Sequence, residues 1–231
     1  MISIIIPTFN EADQIASTIN RLKKAIGASD VEIIVSDGGS MDGTILLAKE
    51  SGACVSLSKR KGRAAQMNTG AALAKGDLLY FLHADTIPPE GFLADIVQAV
   101  TQGYAAGCFM LSFDYPHWFL KANCWFTRFD VNALRFGDQS LFVTKASFEQ
   151  AGGFCEQHIV LEDQELIKRL RKQVRFKVIK KAVVTSARKY LENGIYRTQG
   201  IFFIIYLLYR IGFSQQKLVR TYKKLIRQDK L

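Results

Sequence analysis

Residues 2–6 form a continuous apolar run rich in β-branched side chains, the pattern of a strand covered on both faces. Asn10 then stands where it can cap a helix, with Asp13 three residues later completing part of a capping box. Ile15, Ile19, Leu22 and Ile26 recur at helical spacing and define one buried face. Residues 31–35 read as a second buried strand. Residues 44–50 read as a helix that Gly52 ends. A short third strand follows at 53–57, then an alanine-rich helix at 64–75 with Gly76 at its C′ position. Residues 77–82 give a fourth strand and 91–101 another helix.

The alternation of strand and helix predicts an α/β fold with a mostly parallel sheet flanked by helices. Ligands of such sheets bind beyond the carboxyl ends of the strands, which singles out the loops at 7–11, 36–44, 58–63 and 83–88. The second half is less regular. Strands are expected at 105–113, 140–144 and 176–184, with a helix at about 163–171. Residues 118–129 hold Trp118, Phe119, Trp125, Phe126 and Phe129 and read as a helix with an aromatic face. After Ser186 the chain reads as mostly helix. No repeat, linker or low-complexity stretch interrupts it.

Composition narrows the class. A chain of 231 residues, 48% hydrophobic and 23% charged, buries a sizeable core and is no disordered chain, collagen or disulfide miniprotein. Cys54, Cys108, Cys124 and Cys155 lie far apart without a C-x-x-C pair, so they read as small buried apolar residues in a reducing compartment. Residues 1–167 carry 13 Lys/Arg against 19 Asp/Glu, a net −6, and residues 168–231 carry 18 against 2, a net +16. A mildly acidic body with a strongly basic tail calls for an anionic partner, a nucleic acid or a membrane surface. Met1 leads straight into the first strand with no basic n-region, so no signal peptide is expected. The most apolar run, residues 200–209, is far shorter than the roughly 20 residues a span needs. The expected location is cytoplasmic, with peripheral attachment to the inner face of the cell membrane.

Three acidic sites fall where this architecture would hold a ligand. Asp37 follows the second strand, Asp85 the fourth, and Glu162-Asp163 opens a helix after an apolar run. Each has a plain structural reading: Asp37 and Asp42 as turn and cap residues, Asp85 as a loop residue before a Pro-Pro pair, Glu162-Asp163 as partners of a helix dipole. Together they supply what a nucleotide and metal site needs, a carboxylate for a base or ribose, another for Mg²⁺ or Mn²⁺ against a diphosphate, and a third as general base. There is no P-loop, no G-x-G-x-x-G after the first strand and no G-x-S-x-G. His83, His117 and His158 have no metal-ligand spacing.

Four motifs in order then carry a resemblance: Pro7-Thr8-Phe9-Asn10-Glu11, Ser36-Asp37-Gly38-Gly39-Ser40-Met41-Asp42-Gly43-Thr44, Gly62-Arg63-Ala64-Ala65-Gln66-Met67-Asn68 and His83-Ala84-Asp85. The chain resembles the family 2 glycosyltransferases over roughly residues 1–170. Phe136-Gly137-Asp138-Gln139, Ala151-Gly152-Gly153-Phe154, Leu161–Leu166 and Thr185-Ser186-Ala187-Arg188-Lys189 are similar to a bacterial subgroup labelled arsenosugar-biosynthesis-type. The resemblance implies a GT-A fold over residues 1–190, with a nucleotide-binding half at about 1–104, an acceptor half at about 105–190 and a basic helical extension at 191–231. It implies a UDP- or GDP-sugar donor, a divalent cation, inversion at the anomeric carbon and a hydroxyl acceptor, small molecule or lipid. It places Pro7, Thr8, Asn10, Glu11, Asp37, Arg63, Asn68 and His83 around the nucleotide. Asp85 would meet the metal, Asp138, Gln139 and Glu162 would lie on the acceptor side, and Asp163 would be the general base.

Two departures from the family pattern matter. His83 replaces the first acid of the D-x-D motif, which lowers the negative charge available to a metal. The Q-x-x-R-W motif of processive synthases is absent, since residues 164–170 hold Arg169 but no tryptophan. That favours a single transfer. The rival readings are a sugar-1-phosphate nucleotidyltransferase, which lacks its glycine-rich loop here, and a catalytically inactive GT-A module docking on a membrane or RNA. For residues 201–213 a buried helix and an interfacial helix beside Lys217, Arg220, Lys223, Lys224 and Arg227 are both open. No nucleic acid is expected.

Overall fold

Every residue of β1 (Ile2–Thr8) is buried, so this strand lies at the centre of the molecule. A computed structural model describes residues 1–131 and 139–227 of the chain. The elements after β1 run α1 (Ala12–Ile26), β2 (Val31–Asp37), α2 (Thr44–Glu50), β3 (Cys54–Leu57), α3 (Arg63–Leu73), β4 (Leu78–Phe81), β5 (Thr86–Ile87) and α4 (Phe92–Thr101). Then come β6 (Ala106–Phe113), α5 (Trp118–Phe126), β7 (Leu141–Thr144), α6 (Lys145–Gln150), α7 (Glu162–Leu170) and β8 (Phe176–Thr185). The described chain closes with α8 (Arg188–Asn193), α9 (Ile195–Arg210) and α10 (Gln215–Leu225).

Among the described residues one sheet runs in the order β3-β2-β1-β4-β7-β6-β8-β5. β1 pairs in parallel with β2 and β4, and β6 pairs in parallel with β8. β7 is antiparallel to both β4 and β6, so those two strands point the same way. The carboxyl ends of β1, β2, β4, β6 and β8 therefore share one edge of the sheet. Along β1 the side chains alternate between two cores. Ile4 and Ile6 face Ile15, Ile19 and Leu22 of α1 and Phe92 and Ile96 of α4. Ile5 faces Met67 and Ala71 of α3, in the core that also holds Leu166 and Leu170 of α7. Burial of each isoleucine contributes about 1.5–3 kcal/mol, so both faces of the strand stabilise it.

Several local expectations are corrected. Asn10 does not cap α1: its φ is +53°, and the N-cap position belongs to Glu11 without a side-chain hydrogen bond. Gly76 is not a left-handed helix terminator. It is needed because a Cβ there would press on the Met1 carbonyl and the backbone of Ser3. Of the cysteines only Cys108 is buried, and Cys54 is exposed on the edge strand β3. The helix α5 ends at Phe126, three residues short of the expected end. β5 and α6 were not expected. Residues 201–213 take a middle course. α9 buries Ile201 and Ile205, which pack with Leu218 and Tyr222 of α10, and exposes its other side.

Candidate active site

The first strand end hands its chain to the second. The Thr8 hydroxyl donates to Asp37 Oδ2 (2.9 Å) across the β1–β2 register. Asp37 is fully buried, and its remaining capacity is taken by the N–H groups of Gly39 (2.8 Å) and Ser40 (2.7 Å) on Oδ1 and the Ser40 hydroxyl (2.6 Å) on Oδ2. Four donors fill the roughly four acceptor sites of a carboxylate, so Asp37 shapes the loop. Beyond it, the Asn10 N–H donates to the Ser40 hydroxyl (2.8 Å), and Asn10 Oδ1 accepts from Met41 N–H (3.0 Å). The left-handed backbone of Asn10 turns its side chain toward this loop, a conformation asparagine adopts more readily than most residues. Gln66 of α3 donates to the Thr8 carbonyl (2.5 Å) and ties α3 to the end of β1.

Asp42 ties the same loops on their outer side. It accepts from Ala12 N–H (3.1 Å) and from the Thr44 hydroxyl (2.5 Å), and Thr44 Oγ1 accepts from Glu11 N–H (2.8 Å). Burial alone would push the Asp42 carboxyl up, but the Thr44 hydroxyl and the N–H groups of Ala12 and Thr44 outweigh it and hold the pKa below its ordinary value. A lowered carboxylate pKa adds stability that is complete above the ordinary value and is lost as pH falls through the lowered one. Asp42→Asn is thus expected to flatten the fall in urea midpoint as pH drops below the ordinary aspartate value of about 3.9. An unchanged acid slope would contradict this.

Asp85 follows β4 on a turn in which Thr86 N–H donates to the His83 carbonyl (3.1 Å). The turn is pinned from far away in sequence. β5 pairs antiparallel with β8, the Thr86 hydroxyl donates to Thr185 Oγ1 (3.0 Å), and Thr185 Oγ1 approaches Asp85 Oδ1 (3.4 Å). His83 and Asp85 are both half-buried at this edge.

The third acidic site arrives from the second half. Leu161 takes a left-handed conformation (φ 63°), an outlier for a branched residue that costs about 1–2 kcal/mol. It turns the chain so that Glu162 and Asp163 open α7, where their carboxylates stand at the positive end of the helix dipole. Glu162 and Asp163 are buried, and Arg63 Nε at the start of α3 pairs with Glu162 Oε1 at 3.1 Å. This ion pair links the glycine-bearing 58–63 loop to the Glu-Asp pair.

Other sequence candidates go to supporting positions. Asn68 Nδ2 donates to the Phe154 carbonyl (2.9 Å) and to Glu156 (3.2 Å), and Asn68 Oδ1 accepts from Phe154 N–H (2.9 Å). It latches α3 to the loop before α7. Gln139 is buried and donates to the Phe109 carbonyl (2.9 Å) of β6. Asp138 lies outside the described residues. Arg169 clamps Glu165 (2.6 Å) and the Gly153 carbonyl (2.8 Å) and so braces α7.

Arg188 was not among the sequence candidates. Its guanidinium lies 3.7 Å from Glu11 Oε2, which brings a cation to the β1 loop. The signal was available, since Arg188 stands just beyond the end of β8 as the other candidates stand beyond β1, β2 and β4.

A mostly parallel sheet whose carboxyl edge gathers carboxylates and arginines from six chain segments has the layout of the GT-A glycosyltransferases. The chain superimposes on a mannosyltransferase of Pyrobaculum calidifontis, solved with GDP-mannose and Mn²⁺, with a TM-score of 0.71 at 18% identity, over 97% of this chain and 69% of that one. It likewise matches the glucosyl-3-phosphoglycerate synthase of Mycobacterium tuberculosis, solved with Mn²⁺, UDP and glucosyl-3-phosphoglycerate, with a TM-score of 0.62 at 20% identity, over 92% of this chain and 80% of that one. The chain belongs to glycosyl transferase family 2, whose family model matches residues 3–149. Among curated relatives, an undecaprenyl-phosphate 4-deoxy-4-formamido-L-arabinose transferase of Aeromonas hydrophila is 30% identical over 130 residues, 52% of this chain and 40% of that protein. A dolichol-phosphate mannosyltransferase of Pyrococcus furiosus is 28% identical over 107 residues, 44% of this chain and 30% of that protein. The chain thus spans less than half the length of these relatives.

Proposed function

We propose that the protein transfers one sugar from a nucleoside-diphosphate sugar to a hydroxyl acceptor with inversion at the anomeric carbon. The observation that carries this reading is the convergence of Glu11, Asp85 and the Glu162-Asp163 pair, with Arg63 and Arg188, along one edge of the sheet. The donor nucleotide lies against the β1 and β2 loops, with Pro7, Thr8, Asn10 and Glu11 lining its pocket and Asp37 holding the shape of that pocket. Residues 1–104 serve the donor, residues 105–190 the acceptor, and residues 191–231 form a basic extension.

Asp163 takes the acceptor hydroxyl proton as that oxygen attacks C1. The new C1–O bond forms as the bond from C1 to the phosphate oxygen breaks, and the nucleoside diphosphate departs with the electron pair. Arg63 holds Glu162 and so orients the start of α7, and Arg188 adds positive charge beside the departing phosphates. The donor set suits a divalent ion shared with a substrate: Asp85 offers one half-buried carboxylate, and no cluster of three or more metal-ligating side chains occurs among the described residues. Bound there with the diphosphate, Mg²⁺ or Mn²⁺ would act as a Lewis acid on the leaving group. The relatives named for undecaprenyl-phosphate and dolichol-phosphate support a lipid phosphate as acceptor, and the glucosyl-3-phosphoglycerate synthase supports a small molecule.

Thermal unfolding with UDP, GDP, CDP, ADP or dTDP, each with Mn²⁺, Mg²⁺ or chelator, tests the reading. At a hundredfold excess over Kd the matching nucleotide is expected to raise the midpoint by about 5–10 °C. Chelator or Asp85→Ala should remove most of that gain. No shift with any nucleotide would overturn the proposal and favour an inactive docking module.

A further inference from the structure

α5 and α9 meet near their starts, and among the described residues they leave apolar side chains uncovered. Phe119 and Tyr196 have ring centroids 4.8 Å apart, and Trp118 and Tyr196 6.4 Å, at the starts of the two helices. Further along, Asn123 and Cys124 of α5 line the same small cavity as Gln199 and Phe202 of α9. The inner sides of both helices are accounted for, with Leu120 packed on Tyr190 and with Ile201 and Ile205 packed on α10. The outer sides carry Trp118 (66% exposed), Trp125, Tyr196, Phe203 (64% exposed), Leu207 and Ile211. Scattered exposed apolar residues are ordinary, but aromatic and aliphatic side chains recurring on the exposed sides of two touching helices mark a docking surface.

Charge decides what docks. From Ile195 through Leu225 the chain contains no Asp or Glu, while Arg197, Arg210, Lys217, Arg220, Lys223 and Lys224 are all exposed. Lys217 sits 3.8 Å over the Phe213 ring at the turn between α9 and α10. A second copy on this face would set like charges against each other. Tryptophan, tyrosine and phenylalanine beside lysine and arginine, with no acid between them, match the interfacial zone of an anionic bilayer. No described helix is long and apolar enough to cross a membrane.

We propose that the α5–α9 face inserts shallowly into the headgroup region of an anionic lipid bilayer, with the cations of α10 on its rim. The aromatic surface supplies the apolar contact, and the basic tail supplies selectivity for negative lipid. This is independent of the transfer reading, because it is read without donor or acceptor.

The two tryptophans of the chain, Trp118 and Trp125, both stand on this face and report on it directly. The test follows tryptophan emission and cosedimentation of the 231-residue protein with vesicles. One set is pure phosphatidylcholine, and the other carries roughly one part in three phosphatidylglycerol. The expected result is a blue shift and cosedimentation with the anionic vesicles only. The double variant Phe203→Ser, Leu207→Ser should lower partitioning on the order of tenfold or more, with an unchanged melting temperature because both side chains are exposed. Absence of binding to anionic vesicles at low salt would overturn the proposal. So would binding that the double variant leaves intact, which means adsorption through charge alone. A lipid-independent blue shift with self-association, abolished by the same variant, would assign the face to a second copy instead.

Discussion

Asp163→Asn is expected to lower the transfer rate by roughly 10²–10⁴-fold, with the nucleotide-induced shift in melting temperature preserved. The substitution keeps side-chain volume at the buried start of α7 and removes the negative charge, and with it the capacity to accept a proton. Loss of a base that acts in the transition state appears in kcat, whereas loss of a donor contact would appear in KM. The measurement is single-turnover transfer alongside the thermal shift. A variant that retains more than about a tenth of the wild-type rate would place the base elsewhere. The neighbouring Glu162 serves as the contrast. It meets Arg63 at 3.1 Å, so Glu162→Gln releases a buried ion pair and acts through position and stability.

The second large effect falls on folding. Asp37→Ala is expected to cost about 3 kcal/mol or more, because it strands the N–H groups of Gly39 and Ser40 and the hydroxyls of Thr8 and Ser40 in a buried pocket. For a chain of this size the midpoint should fall by roughly 6–12 °C. Asp37→Asn should cost much less. Its carbonyl can still accept from the two N–H groups, and both hydroxyls can turn to accept from its amide. Equal losses for the two variants, measured by urea unfolding, would show that the negative charge itself holds the loop.

The first half of the chain was legible in the sequence because its signals are local. Predominantly apolar, β-branched runs named β1 and β2, 3.6-residue spacing named α1, and the strand–helix alternation told which loops to examine. Long-range pairing was not legible. β5 is two residues that pair with Val184 and Thr185 of β8, far along the chain. Asn10 looked like a cap because its residue type and spacing suit one, yet Ser40 and Met41 claim it instead. Asn68 sits in a family motif, and spacing gave no hint that both ends of its amide are used to hold Phe154. The aromatic content of α5 was plain, but periodicity finds a face without saying what covers it.

The pinning of Asp85 by Thr185 also has a consequence for how the protein is made. The strands on either side of β1 are complete once residue 81 has emerged, and β1, β2 and β4 can pair at once. The turn that carries Asp85 must wait for β8, and synthesis of the intervening hundred residues takes about 5–20 s. During that interval a nascent chain has β1, β2 and β4 in place and its acidic turn unanchored. A ribosome stalled before residue 185 would therefore display a folded but unfinished half. Pulse proteolysis of such chains should cut near Asp85 until β8 is released.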